Sequence, residues 1–72
     1  MQSDLGLTDI QLRALRFIGN RNAEGLAARM PYAELIVAAD DLAHKGLAQW
    51  ADHGRWLTAE GRTALSALED AP

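Results

Sequence analysis

The chain has 72 residues, 49% of them hydrophobic, no cysteine, and ten acidic against seven basic side chains, giving a net charge of −3. A single domain of this size buries only about 60% of its unfolded surface, and without cysteine it has neither disulfides nor a thiolate metal site to reinforce it. No apolar run approaches the roughly 20 residues that span a bilayer, and the acidic balance disfavours a general polyanion binder, which needs clustered Lys and Arg. Met1-Gln2-Ser3-Asp4 lacks the basic-then-apolar layout of a secretion signal. The expectation is one soluble, cytoplasmic domain over residues 1–72, frayed at 1–6 and 70–72.

Thr8 and Gln11 have the spacing of a capping box, and Leu7 with Leu12 that of a hydrophobic staple, so a first helix is expected from about Thr8 to Asn20. Ile10, Ala14, Phe17 and Ile18 fall on its inner face with Leu15 at the margin. Asn20-Arg21-Asn22 reads as a turn. Ala23 to Met30 reads as a short, weak second helix carrying Leu26 and Met30, with Gly25 lowering its propensity and Pro31 ending it. A third helix follows from about Pro31 to Lys45, stopped by Gly46. Its inward stripe is Leu35, Ala38, Ala39 and Leu42. Beyond Leu47 the period shortens. Leu47 to Trp50 and Arg55 to Leu57 read as two strands about a turn at Ala51-Asp52-His53-Gly54. Thr58 then caps a last helix whose inner face is Gly61, Ala64, Leu65 and Leu68.

Three helices, a two-stranded wing and a C-terminal helix make a mainly α, winged helix-turn-helix chain. Asp41-Leu42-Ala43-His44-Lys45-Gly46-Leu47, Asp52-His53-Gly54-Arg55 and Leu57-Thr58-Ala59-Glu60-Gly61-Arg62 resemble the DNA-binding domain of the MarR family of bacterial regulators. In that family a recognition helix ends in a lysine–glycine–leucine step, aspartate and arginine sit on the wing, and a leucine–threonine–x–x–glycine step opens the next helix. The resemblance implies sequence-specific DNA binding with the third helix in the major groove. By position it puts Ala33, Glu34, Ile36, Val37, Asp40 and Asp41 toward the groove and Arg55 on the wing. Tyr32, Lys45 and Arg62 join Arg55 as DNA contacts in that reading.

The residues themselves favour a different partner. The third helix's outer face has no Arg, Lys, Asn, Gln, Ser or Thr to read base edges, and its carboxylates repel phosphate. Ala33, Ile36 and Val37 ringed by Glu34, Asp40 and Asp41, with His44 beside them and His53 and Arg55 on the wing, have the apolar centre and charged rim of an interface. The expected partner is another protein with a basic, apolar-centred surface, contacted by a monomer or weak homodimer. A small regulator or adaptor of bacterial or phage type fits. The plainer alternative is that this helix packs on both sides, within the domain or against a second copy.

Trp50 and Trp56 could pair across the hairpin, and the favoured reading anchors one or both on the core. Tyr32 is open between an exposed contact and a core aromatic. Asp40, His44, Asp52 and His53 are too scattered for a metal-ligand set, and the only serines, Ser3 and Ser66, lie near the ends with no Gly-rich phosphate loop. No catalytic residue, metal or cofactor is expected.

Overall fold

A computed structural model describes residues 6–51 and 53–70, Asp70 by its backbone alone. Asp52 and the ends 1–5 and 71–72, expected to fray, lie outside the described residues. Three helices and one hairpin follow in order: α1 (Asp9–Ala23), α2 (Ala33–His44), β1 (Ala48–Ala51), β2 (Gly54–Leu57) and α3 (Ala59–Asp70). The fold is mainly helical with a small antiparallel hairpin, in an order consistent with a winged-helix layout. One expected element is missing, because the short helix over Ala23–Met30 does not form.

Its absence has a local cause. The capping box starts α1 as expected: the Gln11 amide donates to Thr8 Oγ1 at 3.3 Å and the Thr8 amide to Gln11 Oε1 at 3.0 Å. The helix then runs through the expected turn at Asn20–Asn22 and stops at Gly25, whose φ of +80° only glycine adopts freely. There the Leu26 amide donates to the Arg21 carbonyl and the Gly25 amide to that of Asn22, which is the Schellman closure of a helix. Past Gly25 the backbone turns to the hairpin. Ala28 and Arg55 exchange both amide–carbonyl hydrogen bonds, at 2.9 and 2.7 Å. A segment with helical composition is thus held extended by tertiary pairing, the usual way in which context overrides propensity. α2 closes as α1 does, with Gly46 at φ +79° and the Leu47 amide on the Leu42 carbonyl.

The hairpin pairs Ala48 with Leu57, Gln49 with Trp56, Trp50 with Arg55 and Ala51 with Gly54. Directly opposed residues share a face, so Ala48, Trp50, Arg55 and Leu57 look one way and Gln49 and Trp56 the other. Trp50 and Trp56 therefore do not pair. The core face carries Ala48 and Leu57 into a cluster with Leu7, Leu15, Ile18, Leu35, Ala39 and Leu42. Leu35, Ala38, Ala39 and Leu42 are all buried, as their spacing requires. Leu15, placed at the margin of α1 by sequence, is instead fully buried, while Ile10 and Phe17 are only half-buried.

Alanine and glycine let these short elements approach closely. A Cβ built on Gly61 would lie 1.9 Å from the Leu47 carbonyl oxygen, so α3 crosses the entry to β1 where only glycine fits. Thr58 fixes that crossing: its hydroxyl donates to the Gly46 carbonyl at 2.6 Å and accepts the Gly61 amide at 3.0 Å. The wing is tied to α1 by Asn22, whose Oδ1 accepts the Leu57 amide at 2.8 Å. Its Nδ2 donates to the Leu26 and Arg55 carbonyls.

Candidate functional site

α2 presents Leu35, Ala38 and Leu42 inward, which leaves Ala33, Val37 and His44 on its crown and Ile36 and Asp40 on the flank toward the hairpin. Ala33, Glu34, Ile36, Val37, Asp40 and His44 are exposed, with Val37 at 60%. Asp41 is not: it is half-buried on the opposite flank, where its Oδ2 accepts a hydrogen bond from Gln11 Nε2 at 3.2 Å. It is thereby tied to α1 and turned from the expected partner face.

Arg55 departs furthest from expectation. A wing arginine free to reach DNA would be exposed, but this side chain is only 11% exposed and its Nη2 lies 2.7 Å from Asp40 Oδ1. Its Cζ sits 5.1 Å from the centroid of the Trp50 ring, within cation–π range. The cause is parity: Arg55 opposes Trp50 on the core-side face, so its stem runs back over α2. Its Nε is enclosed and has no hydrogen-bond partner.

Trp50 is 64% exposed and does not anchor the wing on the core. Trp56 is half-buried on the far face, its indole N–H donating to the Ala51 carbonyl at 3.1 Å. Tyr32 is exposed at the N-cap of α2 and makes no side-chain cap bond. His53 is exposed beside the turn at φ +69°. Lys45 is exposed at the C-cap of α2, and Arg62, expected as a DNA contact, donates from Nη1 to the Leu57 carbonyl at 3.2 Å. Among the described residues no group of three or more His, Asp or Glu comes together as metal donors.

Between α2 and the hairpin lies a groove of about 290 Å³ lined by Arg29, Met30, Ile36, Trp50 and Arg55. Sequence reasoning missed Arg29 and Met30, because a helical reading of Ala23–Met30 does not place them here. They arrive because the Ala28–Arg55 bridge lays that segment along β2. A second hollow of about 330 Å³ lies among α1, β2 and α3 beside Trp56, Leu57 and Leu65. Its Asn22, Trp56 and Arg62 donors are already bonded within the chain. No helix among the described residues is long and apolar enough to cross a membrane. No protein-family model, no curated protein and no solved structure matches this chain.

Proposed function

We propose that the chain is a non-enzymatic winged-helix module that acts by binding another protein through the face shared by α2 and the hairpin. One observation carries this reading: Ile36 and Trp50 stand exposed in one groove with Val37 exposed on the adjoining crown of α2, while Arg55 and Arg62, two of the three basic side chains expected at DNA, are engaged within the chain. Arg55 is held by Asp40 and Arg62 by the Leu57 carbonyl. A cluster of large apolar side chains at the surface of a small domain is what a partner would cover.

The resemblance to MarR-family regulators supplies the competing reading, in which α2 and the wing bind duplex DNA. It demands phosphate neutralisation by several cations and hence a steep salt dependence. The two separate in one experiment on the full chain and on a double variant, Ile36→Arg with Val37→Glu. Both positions are exposed, so the melting temperature should hold. Capture of a specific protein by the parent and its loss in the variant support the protein-binding reading. Equal capture by both, or a salt-sensitive shift of duplex DNA weakened by Arg55→Ala, refutes it.

A further inference from the structure

We propose that the groove between α2 and the hairpin takes an acidic apolar segment of its partner, a bulky hydrophobic side chain beside an aspartate or glutamate, and not the basic surface that the carboxylates of α2 suggest in sequence. This rests on the protein-binding reading above and specifies the chemistry of the partner.

Three acidic residues were the basis for expecting a basic partner, and the structure removes two of them. Asp40 is ion-paired with Arg55, and Asp41 is turned to Gln11 on the α1 flank. Glu34, seven residues before Asp41 and so on the same flank of the helix, faces away from the groove as well. The charge left at the groove is positive. Arg29 lines it, is exposed, and has no carboxylate partner among the described residues. Arg55 adds no free charge, since its side chain is only 11% exposed and paired with Asp40, and its enclosed Nε lies beyond an occupant's reach.

The remaining walls are the apolar surfaces of Met30, Ile36 and Trp50. Among the described residues the groove therefore offers one hydrophobic slot and, at its mouth, one cation without a carboxylate partner. A carboxylate beside a Leu, Met or aromatic side chain meets both. A phosphate backbone meets the cation alone and leaves the apolar walls uncovered. A basic apolar segment fills the slot but sets its cation against Arg29.

The test is selection from a displayed library of random octapeptides on the immobilised full chain, with enriched peptides resynthesised and titrated by fluorescence anisotropy. Enriched peptides are expected to carry Asp or Glu close to Leu, Met, Phe or Trp. Arg29→Glu should weaken the best of them at least about fivefold, the scale of reversing one exposed ion pair. Arg29→Lys should retain binding, and Arg13→Glu on the outer face of α1 should leave it unchanged, with unaltered melting for all three variants. Enrichment of Lys- or Arg-bearing peptides that is lost in Ile36→Arg overturns the acidic-segment proposal while the protein-binding reading stands. A dimer dissolved by Ile36→Arg gives the face to a second copy and also overturns it. No enrichment, or binding indifferent to Arg29→Glu, overturns it too, and if the Ile36→Arg, Val37→Glu variant still captures its protein partner, both readings fall.

Discussion

Replacing Asn22 with alanine isolates how the wing is attached to the helical body. Asn22 lies near the end of α1 and makes three hydrogen bonds: Oδ1 accepts the Leu57 amide at 2.8 Å, and Nδ2 donates to the Leu26 and Arg55 carbonyls at 2.9 and 3.2 Å. The losses are unequal. The Arg55 carbonyl keeps the Ala28 amide as a donor, and the exposed Leu26 carbonyl can take water. Leu57 is buried at 4% exposure, so its amide is left without a partner. An unsatisfied buried donor costs about 1–3 kcal/mol, and each ordinary hydrogen bond about 1 kcal/mol net. Alanine's better helix propensity returns roughly 0.5 kcal/mol. The expected destabilisation is about 2 kcal/mol, or a fall in melting temperature of about 10 °C for a domain this small. Small domains have a total stability of only about 0.05–0.15 kcal/mol per residue, so the effect is large. Urea unfolding followed by far-UV circular dichroism measures it. A loss below about 0.5 kcal/mol with an unchanged slope would refute the view that this side chain bridges α1 to β2.

Two glycines should respond oppositely to the same added methyl. Gly61→Ala drives a Cβ against the Leu47 carbonyl, which cannot swing aside, and should cost about 3 kcal/mol or prevent folding. Gly25→Ala meets open space and bears only the strain of a left-handed backbone, about 1 kcal/mol, so thermal melts should rank the two clearly. Asp40→Ala removes an ion pair whose carboxylate is half exposed, so the stability change should stay under about 1 kcal/mol. It also frees the Arg55 guanidinium beneath Trp50, and a changed tryptophan emission in a Trp56→Phe background should report this; unchanged emission would refute the Asp40–Arg55–Trp50 stack.

Much of the scaffold is legible in the sequence because single residues carry the information. Thr8 and Gln11 specify a helix start, Gly46 a helix stop, and Leu35, Ala38, Ala39 and Leu42 a buried stripe. The missing helix shows where local reading fails. By composition Gly25 reads as a weak link inside a helix, whereas in the fold it terminates one. Nothing between Ala23 and Met30 announces pairing with Arg55, 27 positions beyond Ala28, since that contact depends on the hairpin already standing. At the candidate site the exposed Ile36 and Val37 follow from helical periodicity. The charges do not, because whether an aspartate is free depends on what faces it. Asp40 and Asp41 are neighbours in sequence but point to Arg55 and Gln11 on different elements. The separation of the tryptophans was within reach of sequence arithmetic, since pairing Trp50 with Arg55 sets Trp56 against Gln49 and so on the other face.

Arg55 is bound to its surroundings in three directions: its backbone to Ala28, its guanidinium to Asp40, and its planar face to Trp50. Three elements that meet at one residue cannot reorient independently, so the groove's walls are ordered before anything enters it. Association is then spared most of the entropy loss of fixing a wing in place. An occupant should meet a preformed slot and bind with little rearrangement of the hairpin, giving an association rate set by encounter and charge instead of by loop closure. Evolution at this surface is constrained in the same way. Substitutions at Arg29, Ile36 or Val37 can retune what is bound, whereas a change at Arg55 alters the shape of the slot itself.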